Sequence, residues 1–235
     1  MIAFTFQSAR FGIIATAFLI GLGISAAHAE TRSPTLGAAP PPGAVVLFDG
    51  SGLGAWLSQK DRQWETSDGP ADWKLTEEGA LEVVPGAGSL ISKQQFGDFE
   101  LHAEVRLLGE KTNGGIFLMC RYELGISDSG DGRPWLGGFD NLRDDQPPIT
   151  KPAAPDGKWQ AFDVDFRAPR LDIKGKTIEN ARATVYLNGI LIHDDVELGA
   201  RKGAAKRLGD AARAPLMLQE HGSRYRLRNI WLAEN

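Results

Sequence analysis

The sequence predicts an all-β domain, a sandwich or jelly roll of two packed antiparallel sheets. The first observation is an alternation of apolar and polar residues with a period of two from Phe99 to Leu107, and again from Phe162 to Phe166, which is the pattern of half-buried strands. The second is the Asn188-Gly189 pair between two apolar runs, which is typical of a hairpin with a type I′ turn. The third is that no long amphipathic helix stands out among the many short segments.

Further strands are predicted in short apolar segments bounded by glycine, proline, asparagine and aspartate. They fall at residues 45–48, 73–75, 80–84, 89–92, 115–123 and 215–219, and a closing strand starts at Tyr225. The stretch 127–157 is crowded with glycine, aspartate and proline and has little periodicity. Loops of this length are uncommon in compact domains and often carry function.

The N-terminus predicts export. Arg10 precedes an apolar run at residues 11–24, and Ala27-His28-Ala29 has the form that signal peptidase accepts. We therefore expect a signal peptide at residues 1–29, a Pro/Ala-rich linker at residues 30–43 and a single β-sandwich domain at residues 44–235. The expected location is periplasmic or secreted, without a membrane anchor once the signal is cleaved.

The composition limits the classes of function. The net charge of −4 gives no electrostatic footprint for nucleic acid. Cys120 is the only cysteine, so no intrachain disulfide forms, and its apolar surroundings predict a buried, inert thiol.

A first group of candidate residues follows from treating residues 116–123 as one strand. In that arrangement Arg121 and Glu123 lie on the same face of the strand, and Asp128 follows in the loop. A guanidinium beside a carboxylate is suited to catalysis, but it is also the pattern of a salt bridge at the rim of a sheet.

A second group lies at the end of the strand 215–219. Gln219 and His221 fall on one face there, and histidine serves as base, acid or metal ligand. His102 is expected on the polar face of a regular strand and His193 near a hairpin facing solvent, each in a less polar neighbourhood. A structural role for His221 is the alternative.

Two further residues are candidates for binding a sugar. If the closing strand pairs with the strand that carries Gln219, Arg228 shares a sheet face with it, and arginine suits carboxylates and diols. Trp135 lies in the long loop and offers an aromatic platform.

The sequence contains none of the common motifs for metal binding or nucleophilic catalysis. There is no HExxH motif, no EF-hand spacing, no GxSxG motif and no dinucleotide fingerprint. The aspartates of the loop could supply oxygen ligands, so no cofactor is predicted with certainty and a divalent metal ion stays an alternative.

Several segments, in order, resemble the 3-keto-disaccharide hydrolase family. They are VVLFDGSGLGAW (45–56), FGDFELHAEVRL (96–107), NGGIFLMCRYELGISDS (113–129), the stretch 157–194 and PLMLQEHGSRYRLRNIWL (215–232). The chain departs from the family pattern after Glu123, where Gly125 and Ile126 stand in the stretch that usually holds a glutamine, and in the middle loop.

The resemblance implies a concanavalin A-like jelly roll that acts on sugars oxidised at C3. The 3-keto group acidifies the C2 proton, a base removes it, and the glycosidic oxygen leaves from C1 by β-elimination, so that the protein is a hydrolase or lyase. It implies His221 or Glu123 as the base, and Arg121 or a bound divalent metal as the stabiliser of the oxyanion. Asp128 and Gln219 would orient hydroxyls, and a separate sugar 3-oxidoreductase would supply the substrate.

Two other classes of function compete with the enzyme. A non-catalytic carbohydrate-binding module would bind sugar without needing His221, because the same fold can serve binding alone. A scaffold or envelope protein would show no effect of sugar on its thermal stability.

Overall fold

The computed structural model describes residues 35–60, 65–109, 112–127, 136–139, 149, 157–199 and 203–235. Within these residues the chain forms sixteen strands and one short 3₁₀ helix, η1. The elements in chain order are β1 (Val45–Phe48), β2 (Trp56–Gln59), β3 (Gly69–Pro70), β4 (Lys74–Leu75), β5 (Leu81–Glu82), β6 (Ser89–Phe96), β7 (Phe99–Leu107), β8 (Gly115–Leu118), β9 (Tyr122–Gly125), β10 (Gln160–Arg167), β11 (Arg170–Leu171), β12 (Thr177–Glu179), β13 (Ala181–Leu187), β14 (Ile190–Leu198), η1 (Gly203–Arg207), β15 (Ala214–Leu218) and β16 (Tyr225–Glu234).

Two antiparallel sheets make up the fold. The large sheet has eight strands in the order β14-β13-β10-β7-β16-β5-β4, with β1 also paired to β16, and the small sheet has six in the order β3-β2-β6-β15-β8-β9. β11 and β12 form a separate two-stranded ribbon. The prediction of an all-β jelly roll with two packed antiparallel sheets is confirmed. Within the described part of the chain, no helix is long and apolar enough to cross a membrane.

The period-two strands build the core as expected. Every second residue of β7, from Phe99 to Leu107, is buried in the main hydrophobic cluster, and β10 and β13 contribute their apolar faces in the same way. The rings of Phe99 and Phe166 stack with their centroids 4.9 Å apart. Burial of each large side chain contributes about 1.5–3 kcal/mol, so the alternation in sequence directly fixes which face of each strand turns inward.

The predicted hairpin at Asn188-Gly189 is present. Both residues have positive φ, 54° and 77°, as a type I′ turn requires. The Asn188 side chain also accepts a hydrogen bond of 2.9 Å from the backbone N–H of Ala161. The turn therefore ties the β13–β14 hairpin to β10.

The prediction of one strand over residues 115–123 is wrong. The chain reverses at Met119 and Cys120, so that β8 and β9 pair antiparallel, with Leu118 opposite Tyr122. Both turn residues are fully buried and have positive φ, 54° and 56°. Left-handed backbone costs about 1–2 kcal/mol per residue without glycine, so the surrounding packing must hold this turn.

A small apolar cluster lies on the outer face of the small sheet and helps to hold the turn. It consists of Ile91, Phe117, Cys120 and Met217, with Leu57 and Leu208 packed against it. Burial, with a further contribution from the charge of Glu65, raises the pKa of the Cys120 thiol. The expectation of a buried thiol at Cys120 is confirmed.

Tyr225 connects the two sheets through the core. It begins β16 in the large sheet, and its ring occupies the place where a side chain at residue 114 would lie. A Cβ on Gly114 would stand 2.4 Å from Tyr225 Cε1. The Tyr225 hydroxyl donates to the carbonyl of Gln219, just beyond β15. Because Gly114 lacks a side chain, the tyrosine can reach across to the small sheet.

Replacing Gly114 with alanine should therefore destabilise the protein by about 1–3 kcal/mol, the usual cost of overpacking a core. The measurement is the free energy of unfolding in urea. Gly52→Ala is the matched control, because a Cβ on Gly52 meets nothing within 4 Å. Equal stabilities of the two variants would contradict the account.

Candidate functional site

A row of polar groups crosses one end of the small sheet, on the face directed away from the core. Gln59 of β2 lies opposite Ser89 of β6. Gln219 follows β15, and its backbone N–H donates to the carbonyl of Gly115 in β8 at 2.9 Å. We call Gln59, Ser89, Gly115 and Gln219 the polar row. It lies beside the apolar cluster of the same face, so the surface changes from apolar to polar over one rung of the sheet.

Glu123 leans over the polar row from β9. Its partner across the ladder is Phe117, but its side chain extends towards Gly115. A Cβ on Gly115 would stand 2.9 Å from Glu123 Cγ and 3.0 Å from Oε1. The half-buried carboxylate of Glu123 therefore occupies this position only because residue 115 is glycine.

Gln219 presents an unsatisfied acceptor in this row. Its side-chain oxygen Oε1 is buried and has no hydrogen-bond partner among the described residues. A buried carbonyl oxygen without a donor costs about 1–3 kcal/mol, and such atoms in folded proteins call for an explanation.

The buried Tyr225 supports both groups from below. Burial raises its pKa, and the negative charges of Glu123 and Glu220 raise it further. The phenol therefore stays neutral and donates to the Gln219 carbonyl.

His221 lies two residues beyond Gln219 and is exposed. The turn that carries it is fixed by Gly222, whose φ is 79° and whose N–H donates to Glu220 Oε1 at 2.6 Å. The structure thus joins Glu123 and Gln219 through Gly115, while His221 is related to this pair only by its position two residues after Gln219.

Arg121 does not share a strand with Glu123. It lies in the β8–β9 turn with a side chain that is 3% exposed. Its Nη1 donates to Glu65 at 2.6 Å and to the Met119 carbonyl at 2.8 Å, and its Nε donates to the Gly209 carbonyl at 2.7 Å. Arg121 is therefore a positioning residue that fixes the hairpin carrying Glu123. The expectation that it shares an open face with Glu123 is wrong because the chain reverses between β8 and β9.

Arg228 is also separated from the polar row. The expected pairing of the closing strand with the strand of Gln219 is wrong, since β16 pairs with β7 in the large sheet. Arg228 Nε donates to Glu104 at 2.7 Å, and its guanidinium lies 4.3 Å from the centre of the Trp159 ring. The position of Arg228 depends on the pairing of β16 with β7, which are far apart in sequence, and the alternation within one strand does not reveal that pairing.

Asp128 and Trp135 lie outside the described residues. Among the residues that are described, no three side chains of histidine, cysteine, aspartate or glutamate come together to hold a metal ion. The described part of the candidate site therefore offers Glu123 as a carboxylate and Gln219 as an acceptor, without a ligand set for a metal.

His102 lies on the polar face of β7, as expected, but in a neighbourhood more polar than expected. It is fully buried, with Nδ1 2.9 Å from Asp163 Oδ1 and Nε2 3.5 Å from Glu104 Oε1. Its ring stacks on Trp231 with the centroids 5.1 Å apart. We call His102, Glu104, Asp163, Arg228 and Asn229 the ionic cluster. It lies on the outer face of the large sheet and was missed because it joins strands that are far apart in sequence.

A β-bulge completes the ionic cluster. The β16 register shifts between Arg228 and Trp231, and Asn229 has a φ of 46°. This conformation directs Asn229 Nδ2 to Glu104 Oε1 at 3.0 Å. Bulges commonly redirect a side chain in this way.

Contacts within the ionic cluster stabilise the charged forms of its side chains and shift their pKa values. Burial alone would raise the pKa of Glu104, but hydrogen bonds from His102, Asn229 and others outweigh it and lower the pKa to about 2. Burial alone would lower the pKa of His102, but its contacts with Asp163 and Glu104 outweigh that effect and raise it. Both shifts favour the charged forms, the Glu104 carboxylate and the His102 imidazolium.

His193 is buried, contrary to the expectation that it faces solvent. It is 1% exposed, and its Nε2 lies 2.7 Å from the carbonyl of Gly137. Burial lowers its pKa, so the neutral ring donates to that carbonyl. Gly137 in turn donates to the carbonyl of Gly125 at 2.8 Å. Residues 136–139 of the long loop are thereby fixed beside β9.

Residues 43–233 match the 3-keto-alpha-glucoside-1,2-lyase-like domain. The match spans most of the chain, and the protein belongs to this family. The comparison with curated proteins finds no significant match.

Three solved structures from Parabacteroides distasonis ATCC 8503 share the fold, each carrying the name putative glycosyl hydrolase. The first is 27% identical, with a TM-score of 0.68 over 83% of this chain and 85% of that one. The second is 16% identical, with a TM-score of 0.59 over 82% and 94%. The third is 19% identical, with a TM-score of 0.51 over 77% and 99%. The last two establish the fold alone.

Removing Arg121 should loosen the hairpin. Arg121→Leu leaves Glu65 and two backbone carbonyls without their donor, and we expect a loss of about 2 kcal/mol in the free energy of unfolding. Arg167→Leu is the control, because its ion pair with Glu179 is exposed on both sides and such pairs contribute about 0–1 kcal/mol. An Arg121 variant as stable as the control would contradict the positioning role.

The ionic cluster should make stability depend on pH in acid. Glu104 has a lowered pKa, so its contribution is complete above pH 4.5 and is lost as the pH falls towards about 2. Glu104→Gln should be less stable than the wild type at pH 6 by on the order of 2 kcal/mol, and the gap should close as the pH falls. Urea unfolding from pH 6 to pH 2.5 measures it, with the exposed Glu77→Gln as control. A gap that does not change with pH would show that Glu104 carries no shifted charge.

Proposed function

We propose that this protein cleaves 3-keto-glycosides by removing the proton at C2 and eliminating the glycosidic oxygen from C1. The carrying observation is the Glu123 carboxylate held over Gly115, beside the unsatisfied Gln219 oxygen. The family, described as 3-keto-alpha-glucoside-1,2-lyase-like, and the similar protein named as a glycosyl hydrolase support carbohydrate cleavage.

Glu123 is the better candidate for the base. A general base must be held within hydrogen-bond reach of the proton that it removes. Glu123 projects from a paired strand, and its side chain fills the space left by the missing side chain of Gly115, which fixes its position. His221 lies in a turn beyond β15 and is suited to a second role, as the hydrogen-bond donor to the oxyanion or to the leaving oxygen.

The elimination needs no further reactant, and the net hydrolysis consumes one water molecule. Glu123 takes the C2 proton, and the electron pair of the C2–H bond forms an enolate on the 3-keto group. The enolate collapses to form the C1–C2 double bond, the C1–O bond breaks, and the leaving oxygen takes up a proton. Addition of water across the new double bond turns the elimination into a net hydrolysis.

Gln219 is proposed to bind a sugar hydroxyl. Its buried Oε1 lacks a hydrogen-bond donor among the described residues, and a sugar hydroxyl is such a donor. Arg121 takes no part in the reaction in this proposal, because its guanidinium is committed to Glu65 and to two carbonyls. Asp128 and Trp135 stay predictions for substrate contacts, as do export, a periplasmic or secreted location, and a separate oxidoreductase that supplies the keto-sugar.

The assay measures aglycone release from a 3-keto-glucoside and from the same unoxidised glucoside. We expect turnover of the keto-sugar alone, and Glu123→Gln should lower kcat by about 10²–10⁴. Glu77→Gln, an exposed carboxylate elsewhere on the surface, should leave kcat unchanged. His221→Ala should lower kcat by about 10²–10³ if it donates to the oxyanion.

Other results would overturn parts of the proposal. Equal cleavage of both sugars would indicate ordinary glycoside hydrolysis. No turnover, together with a sugar-dependent rise in melting temperature, would indicate a binding module. Loss of turnover with EDTA would add a divalent metal ion to the mechanism.

A further inference from the structure

The chain has an N-terminal turn that precedes the family-matched region. The match begins at residue 43, whereas residues 35–38 already form a β-turn in which Ala38 N–H donates to the Thr35 carbonyl at 2.8 Å. Gly37, at the third position, has a φ of 79°, as a type II turn requires. We call residues 35–38 the N-terminal turn.

The N-terminal turn gives two donors to the ionic cluster. The backbone N–H of Gly37 donates to Glu104 Oε1 at 2.6 Å, and the Thr35 hydroxyl donates to Asp163. Both acceptors are buried carboxylates, for which unmade hydrogen bonds are costly. The turn therefore completes the hydrogen bonding of charges that the sheet alone leaves incomplete.

The same turn accepts two donors from the closing strand. Asn229 Nδ2 and Trp231 Nε1 both donate to the carbonyl of Ala38, at 2.9 and 3.2 Å. Three of these four hydrogen bonds involve backbone groups of the turn, and the fourth involves the Thr35 hydroxyl. Such a pattern recognises a peptide conformation together with one side chain.

The attachment is polar and contributes little apolar burial. Leu36, the one large apolar residue of the turn, is 46% exposed. Residues 39–43 are exposed, and a second turn, with Gly43 at a φ of 87°, leads into β1. A segment held by a few hydrogen bonds can detach without unfolding the sheets. Its detachment costs less free energy than global unfolding, because few apolar contacts are lost.

We propose that the outer face of the large sheet is a docking site for a turn-forming peptide, which the chain fills with its own residues 35–38. The site selects a hydroxyl at the first position, a glycine with positive φ at the third and a free carbonyl at the fourth. The same sequence supplied as a separate peptide binds there when the chain's own turn cannot. This site lies on the large sheet, whereas Glu123 lies on the small sheet. Peptide binding at this site can therefore be shown or disproved independently of keto-sugar cleavage.

The test uses the full chain carrying Thr35→Val and Gly37→Pro. Valine removes the hydroxyl, and proline removes the N–H and fixes φ near −65°, so the chain's own turn cannot dock. A synthetic peptide of residues 33–40 is titrated by calorimetry and by the fluorescence of Trp231. The control is Leu36→Ser, which keeps the docked turn because Leu36 faces solvent.

Saturable binding of the peptide to the double variant, and none to the control, is the expected result. A peptide with alanine in place of Gly37 should bind about tenfold more weakly, because the backbone conformation resists an L-residue although a Cβ there meets nothing within 4 Å. A peptide with N-methylglycine at this position should lose binding with its N–H. No saturable binding by the glycine peptide, equal binding by all three peptides, or equal binding to the control would overturn the proposal.

Hydrogen exchange of the wild-type chain tests the same proposal if the double variant does not fold. The Gly37 amide should be protected, yet should exchange through a local opening that is insensitive to low urea. The Leu101 amide, in the middle of β7, should exchange only with global unfolding. Identical exchange of the two amides across a urea series would show that the turn does not leave separately, which overturns an exchangeable docking site.

Discussion

The contact of Tyr225 with Gly114, the residue before Gly115 and the start of β8, is the constraint on which the candidate site depends. Successive residues of a strand point to opposite faces, so the missing side chains of Gly114 and Gly115 open space on both sides of the sheet. On the core side, the space at Gly114 admits the Tyr225 ring. On the outer side, the space at Gly115 admits the Glu123 carboxylate. One pair of glycines therefore permits both the link between the sheets and the placement of the proposed base.

The remaining polar groups of the site are positioned by Tyr225. Tyr225 donates to the carbonyl of Gln219 from within the core, and the backbone of Gln219 is joined to Gly115. The proposed substrate acceptor is thus held by a residue of the opposite sheet. Arg121 adds a second restraint by closing the turn between β8 and β9 onto Glu65, so the hairpin that carries Glu123 is fixed at both ends.

The sequence predicted the parts of the fold that local pattern controls. Alternation from Phe99 to Leu107 identified β7 and its inward face, and Asn188-Gly189 identified a hairpin, because each is encoded by adjacent residues. The reversal at Met119 and Cys120 carries no glycine, asparagine or proline, and tertiary packing holds it against its backbone preference. No local signal marked it, and one strand was predicted where there are two.

Two residues of the candidate site, Glu123 and Gln219, were singled out from the sequence by their positions at strand ends and by the family pattern. Gln59 and Ser89 were not, because they join the site through strand pairing that a single sequence does not reveal. The ionic cluster was missed for the same reason, since His102, Asp163 and Arg228 meet only after β7, β10 and β16 pair in register. The alternation had placed His102 on the outer face of β7, but it gave no sign that Asn229 and the N-terminal turn would bury that face.

The fate of the hydrogen at C2 is the most direct test of the proposed chemistry. A 3-keto-glucoside labelled with deuterium at C2 would be cleaved in ordinary water by the wild-type protein, and the sugar product would be analysed by mass spectrometry and NMR at partial conversion. Elimination through C2 removes that deuterium, so the account predicts a product that carries none at C2, while substrate incubated without protein keeps its label. A product that retains the deuterium at C2 would contradict C2 deprotonation and would leave Glu123 without its proposed role.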